Sequence, residues 1–275
     1  MGYAAGRNTT DFVTAGGIRL AYDRSGRGEP VLMIMGSGSS GRVWTTHQTP
    51  ALHAAGHSTV VFDHRGVPPS AAPPGRYTLA DLVGDTKALI EALDLGPCRI
   101  VGTSLGSMIA QELAINHPEL VRCAVLAATR ARTDTARRAL SEAERALVES
   151  GVRLPAGYEA AMTVFQMFSP ATLDDDSAAA AWLGVFEMSG GGAAQARHAW
   201  ADLTGDRRPA LRRVKAPCRV VTFADDLIAP PHLGAEVAGA IPDCDLVEIP
   251  GCGHLGYLER PDAFNAAIIE FLDNH

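Results

Sequence analysis

A chain of 275 residues with 47% hydrophobic and 20% charged residues can bury a sizeable core and has the composition of an ordinary soluble globular protein. A formal net charge of -7 argues against nucleic acid as a partner, because no basic patch is available to neutralise phosphates. No run approaches transmembrane length, and residues 1–11 lack the basic-then-apolar pattern of a secretory leader, so a cytoplasmic protein without membrane contact is expected.

In chain order, residues 12–14 and 18–23, divided by Gly16-Gly17, read as an opening β-hairpin. Residues 31–35 and 58–63 are continuous apolar runs, the kind buried on both faces of a parallel sheet. Between them, 43–55 is a short helical segment interrupted by Pro50. Residues 78–93 form a cleaner helix, with Leu79, Leu82, Val83, Leu89, Ile90 and Leu93 on one face. A strand at 98–101, a helix at 107–116 and a strand at 121–127 follow. A strand at 218–223, a helix at 232–240, a strand at 245–249 and a helix at 261–273 close the chain. This alternation of strands and helices predicts an α/β fold, with a mostly parallel sheet covered on both faces.

Residues 131–205 break the alternation. The segment is helical by pattern, rich in alanine, and interrupted at Gly190-Gly191-Gly192. It carries Met162, Phe165, Met167, Phe168, Trp182, Phe186 and Met188. An insertion without strands but with large apolar side chains predicts a helical lid between core segments 1–130 and 206–275. Met162, Phe165, Trp182 and Phe186 would then belong to an apolar wall facing a site, with Met35 and Leu255 as further candidates from the core.

The chemistry is concentrated where a β-branched run feeds Gly102-Thr103-Ser104-Leu105-Gly106 and an apolar helical pattern follows at once. A serine on a sharp strand-to-helix turn has its hydroxyl pushed out of the fold, and the two glycines leave room for the turn. Such a nucleophile needs a base, and the base needs an orienting acid. The strand at 218–223 runs into Ala224-Asp225-Asp226-Leu227-Ile228-Ala229-Pro230, and the last strand runs into Gly251-Cys252-Gly253-His254. Ser104, the aspartate pair and His254 therefore all lie just past strand C-termini, the edge where open α/β sheets bind ligands. The remaining histidines, His64 and His198 among them, have no comparable context.

These residues identify the chain as resembling the α/β-hydrolase fold superfamily over nearly its whole length. The matching pieces are the Gly102–Gly106 turn, Asp63-His64-Arg65-Gly66, Asp226 four residues before Pro230, and Gly253-His254 followed by Glu259-Arg260-Pro261. The resemblance implies an eight-stranded sheet with a lid and a Ser104, Asp226, His254 triad. It favours Asp226 over Asp225 through the spacing to Pro230. It also implies an oxyanion hole from the backbone N–H groups of Leu105 and Ser37. Two positions depart from the common pattern. Met35 stands where relatives often have His, and in this the chain resembles a subset that includes aclacinomycin methylesterase-like enzymes, so the loop lacks the support of the common His. Pro68 lacks an N–H and fixes φ, so the loop at 65–70 cannot follow the usual backbone path.

The expected activity is cofactor-independent hydrolysis of a carboxylic ester or thioester of a small to medium hydrophobic substrate, with no metal and no organic cofactor. A lyase, cyclase or acyltransferase using the same triad is the alternative, and a non-catalytic binder on the same fold is a further one. Gly36-Ser37-Gly38-Ser39-Ser40-Gly41, with Asp63 after the next strand, also fits a dinucleotide fingerprint. That reading, an NAD-dependent oxidoreductase, lacks a helix opening at the third glycine and leaves the Ser104, Asp226 and His254 contexts unexplained. The five cysteines, Cys98, Cys123, Cys218, Cys244 and Cys252, fit neither a zinc site nor a disulfide framework and suggest a reducing compartment.

Overall fold

The computed structural model of the chain describes residues 10–189, 193–203 and 205–275. The glycine triplet at 190–192 and residues 1–9 at the amino terminus lie outside the described residues. Strands β1 (Asp11–Ala15) and β2 (Ile18–Gly26) pair as an antiparallel hairpin. They are followed by β3 (Pro30–Ile34), β4 (Ser58–Phe62), β5 (Cys98–Thr103), β6 (Val121–Ala127), β7 (Cys218–Phe223) and β8 (Cys244–Ile249). Among the described residues these make one eight-stranded sheet in the order β1-β2-β4-β3-β5-β6-β7-β8. The pairings β1·β2 and β2·β4 are antiparallel and all the others are parallel.

Every residue of β4, β5 and β7 is buried, which accounts for the β-branched and apolar residues at their centres. Because side chains alternate along a strand, the sheet feeds two separate cores. Leu32, Ile34, Ile100, Leu126 and Val220 pack on one face, while Val31, Met33, Val101, Val125 and Val221 pack on the other. The helices are α1 (Gln48–Ala54), α2 (Leu79–Ala92), α3 (Leu105–Asn116), α4 (Thr135–Ser150), α5 (Ala156–Met167), α6 (Pro170–Leu173), α7 (Asp176–Met188), α8 (Ala193–His198), α9 (Arg208–Leu211), α10 (Pro231–Ala238), α11 (Gly256–Glu259) and α12 (Pro261–Asp273). Helices α2, α3 and α10 cover the first face. Helices α1 and α12, with Trp44 and Tyr257, cover the second.

Local chemistry explains where the elements begin. Thr78 caps α2 with a reciprocal capping box to Asp81, so the helix starts one residue after the boundary expected from its apolar face. The single helical segment expected at 43–55 is divided into a 3-10 turn at Gly41–Thr45 and α1. Pro50 falls in the first turn of α1, where its missing N–H has no partner to lose. Helix α3 begins at Leu105, two residues earlier than expected, directly behind Ser104.

Between β6 and β7 the described residues are helical or irregular and add no strand to the sheet. Within this segment Asp175 caps a helix, accepting from the Ser177 and Ala178 N–H groups at the start of α7, each at 3.0 Å. Arg130, Arg132 and Arg207 form ion pairs with Asp202, Glu236 and Glu112 respectively. The five cysteines are free thiols. Among the described residues no helix is long and apolar enough to cross a membrane.

Candidate active site

Strands β3, β5, β7 and β8 run parallel, so the loops at their C-terminal ends meet on one edge of the sheet. Ser104 occupies the turn from β5 into α3 at φ 53° and ψ -119°. A non-glycine residue at positive φ costs about 1–3 kcal/mol and persists only when its surroundings hold it there. Here the Ser104 N–H donates to Ala127 O on β6 at 3.0 Å. A Cβ on Gly106 would lie 2.1 Å from Ile34 O, and one on Gly102 would lie 2.5 Å from Gly106 O. The two glycines therefore let α3 press directly on backbone, which drives the chain through the tight turn.

The Ser104 hydroxyl lies 3.0 Å from His254 Nε2, and His254 Nδ1 lies 2.8 Å from Asp226 Oδ2. Asp226 is 2% exposed and its other oxygen accepts from the Ile228 and Ala229 N–H groups, both at 2.8 Å. An ionised carboxylate only accepts, so the imidazole proton sits on Nδ1 and the Nε2 lone pair faces the serine hydroxyl. Asp225 is turned elsewhere. Its N–H donates to Cys252 O, and the residue borders a surface groove. Of the two candidate acids, Asp226 is the one bonded to the imidazole.

The loop carrying His254 is tied to the helical segment by Glu259. One carboxylate oxygen accepts from the Gly253 N–H at 2.6 Å. The other accepts from Ser169 N–H at 3.1 Å, Ser169 Oγ at 2.7 Å and Thr172 Oγ1 at 2.5 Å. Gly253 permits this approach, since a Cβ there would meet Met167 O at 2.7 Å. The sequence pattern Glu259-Arg260-Pro261 contained the signal, but not the partner ninety residues earlier in the chain.

The turn after β3 lies against the serine: a Cβ on Gly36 would be 3.4 Å from Ser104 Cβ. Met35 lacks the ring that relatives often have at its position, yet the loop is well supported. His64 Nε2 donates to Met35 O at 3.0 Å, and Gly38 N–H donates to His198 Nδ1 at 3.1 Å. His198 Nε2 donates to Arg65 O at 2.9 Å. Burial pushes the His64 imidazole down to about 4, and burial also lowers His198, so both stay neutral. Asp63, the acid of the dinucleotide fingerprint, is spent within the loop, accepting from Ser40 Oγ at 2.7 Å and Gly41 N–H at 2.8 Å. In place of the helix a dinucleotide would need at Gly41 there is the short 3-10 turn. The loop around Pro68 closes through Ser70, whose hydroxyl donates to Asp63 O and accepts from Ala21 N–H.

The expected pocket residues take four different environments. Phe165, 62% exposed, lines a groove of about 380 Å³ with Phe168, Pro170, Leu173, Leu227 and the aspartate pair. Trp182 and Phe186 instead pack against buried Phe168, tilted and edge-on with centroids at 4.7 and 6.2 Å, and Met162 is exposed on α5. Leu255 packs against the second core while its N–H donates to Met167 O. Met35 requires a correction: it is fully buried, its sulfur accepts from Tyr257 Oη, and it is a core residue rather than a pocket wall. Among the described residues no group of three or more His, Cys, Asp or Glu is placed to hold a metal ion.

The sheet order, the strained serine turn and the hydrogen-bonded serine, histidine and aspartate at one sheet edge are features of a hydrolase fold. The chain belongs to the α/β-hydrolase fold family, whose pattern matches residues 29–261. It is similar to the Mycobacterium tuberculosis protein BpoC, named as a non-heme bromoperoxidase. The two are 45% identical over 256 residues, covering 92% of this chain and 97% of that protein. The crystal structure of BpoC superposes with a TM-score of 0.89 over 93% of this chain and 96% of that one. A hydrolase from Pseudomonas aeruginosa superposes at 0.84 with 28% identity, covering 97% of this chain and 99% of that one. RutD of Azorhizobium caulinodans, named as a carbamate hydrolase, is 27% identical over 268 residues, covering 94% of this chain and 97% of that protein.

Proposed function

We propose that the protein is a serine hydrolase that cleaves carboxylic esters through an acyl-enzyme. The observation that carries this reading is the continuous chain from Ser104 Oγ through His254 to Asp226. His254 takes the hydroxyl proton as Ser104 attacks the carbonyl, then returns it to the leaving alcohol. Asp226 holds the ring in the required tautomer and stabilises its protonated form. The N–H groups of Leu105 and Ser37 receive the developing oxyanion, and the helices of 131–205 act as a lid over a hydrophobic acyl or alkyl group. Water then attacks the acyl-enzyme with His254 as base. The same atoms serve a carbamate carbonyl, the substrate class in the name of RutD.

The name of BpoC favours a second use of this acyl-enzyme. Attack by hydrogen peroxide in place of water would release a peracid and regenerate Ser104. The peracid would then oxidise bromide to hypobromous acid, leaving the carboxylate.

The test is a panel of 4-nitrophenyl esters of increasing chain length, with Ser104→Ala as the control. Ester turnover that disappears in the variant is expected. No turnover on any ester, or equal turnover in the variant, would overturn the reading in favour of a lyase, cyclase, acyltransferase or binder. Bromination that requires peroxide, a carboxylic acid and Ser104 together would support the peracid branch.

A further inference from the structure

The residues from Met35 to Gly38 define three consecutive peptide units beside Ser104. The first unit is fixed because His64 Nε2 donates to Met35 O at 3.0 Å. The third is fixed because Gly38 N–H donates to His198 Nδ1 at 3.1 Å. The middle unit, between Gly36 and Ser37, carries the Ser37 N–H. Pinning the planes on either side fixes the Cα positions of Gly36 and Ser37, and with them the axis about which the middle plane can turn.

We infer that His64 and His198 are positioning residues that together aim the Ser37 N–H at the oxyanion, an inference that rests on the serine hydrolase reading. The two imidazoles act as one unit. They meet edge to face with centroids 5.9 Å apart, and His198 Nε2 donates to the carbonyl of Arg65, the neighbour of His64. His64 comes from the loop after β4, and His198 from the end of α8. The oxyanion turn is therefore held jointly by the sheet edge and by the last helix of the 131–205 segment. His64 needs a proton on Nε2, and His198 needs that proton together with a free lone pair on Nδ1, hence a neutral ring, which burial favours. A proton on His198 Nδ1 would set donor against donor at Gly38. The side chains around His198 are His64, Tyr77 and the cationic Arg65, and Arg65 opposes that protonation.

The two histidines use different nitrogens, and this gives a selective test. At position 198 asparagine reproduces the Nδ1 acceptor and glutamine reproduces only the Nε2 donor. At position 64, where the Nε2 donor matters, glutamine is the better mimic. In ester assays His198→Asn and His64→Gln should keep kcat within about threefold of wild type, whereas His198→Gln and His64→Asn should lose about 10- to 100-fold in kcat with little change in KM. A packing role alone would rank the variants by thermal stability and not by the nitrogen they mimic. Amide hydrogen exchange at Gly38 should be faster in His198→Gln than in His198→Asn, a readout that does not depend on turnover. Equal kcat across the four variants, or equal exchange at Gly38, would overturn the clamp while leaving the hydrolase reading in place. Absence of Ser104-dependent turnover in the wild type would overturn the hydrolase reading and the clamp's role with it.

Discussion

Replacing Asp226 by asparagine changes one atom and, with this geometry, removes the base from Ser104. The wild-type carboxylate accepts on both sides, from two backbone N–H groups at Oδ1 and from the imidazole at Oδ2. Asparagine has one acceptor oxygen and one donor nitrogen. Its oxygen must face Ile228 and Ala229, because a nitrogen there would leave two buried N–H groups without partners, at about 1–3 kcal/mol each. Its nitrogen then faces His254 Nδ1, which must become the acceptor. The ring proton moves to Nε2 and points at the serine oxygen, so the hydroxyl has no lone pair to receive its proton. The expected loss in kcat is about 10⁴-fold, the size this substitution has in triads of the same geometry, or about 5 kcal/mol of transition-state stabilisation. Asp225→Asn should change kcat by less than about twofold, since that side chain does not meet the ring. The assay is steady-state hydrolysis of a 4-nitrophenyl ester, with thermal melts showing that both variants are folded. Asp226→Asn within about tenfold of wild type, or equal losses in the two variants, would refute the reasoning.

Gly106→Ala drives a methyl group into the backbone of Ile34 and Met35, and should destabilise by more than about 4 kcal/mol or abolish soluble expression. Gly184→Ala, which meets no atom within 4 Å on a helix, should instead be neutral or stabilise by up to about 1 kcal/mol in urea unfolding. Glu259→Ala strands the Gly253 and Ser169 N–H groups, so a loss of about 2–4 kcal/mol in urea unfolding, with reduced kcat, is expected. The His64 pKa of about 4 in the fold, against 6.5 when free, means that the folded state binds fewer protons and loses stability as pH falls below 6.5. Between about pH 8 and about pH 5 this amounts to about 2 kcal/mol, and the stability difference between wild type and His64→Gln should shrink by that amount in paired urea titrations. A difference that does not change with pH would contradict a neutral buried His64.

The central strands were legible because they are buried on both faces. Runs such as Ser58–Phe62 and Cys98–Thr103 have one composition whichever way the chain threads them. Ser104, Asp226 and His254 were legible because each lies in the loop just past a strand end, so placing the strands places the residues. The supports of the site were not. His198 and Gly38 are 160 positions apart, and nothing near either residue indicates that their loops meet. The knot at Glu259 likewise joins segments separated by about ninety positions, with a partner serine that looks like an ordinary helix cap. The helical segment is opaque for a different reason. An apolar side chain on an amphipathic helix can face a groove, a neighbouring ring or solvent, and Phe165, Trp182 and Met162 take these different environments at similar helical spacings. Met35 is deceptive because its position in the loop pattern suggests the site, while the end of β3 delivers its side chain to the core.

The central claim is that Ser104 is the nucleophile, and covalent labelling tests it most directly. Intact-protein and peptide mass spectrometry after reaction with a fluorophosphonate should show one adduct per chain, on the peptide containing Ser104. The same adduct should be absent in Ser104→Ala and slowed in Asp226→Asn. No adduct on the wild type, or an adduct on another residue that persists in Ser104→Ala, would contradict the account.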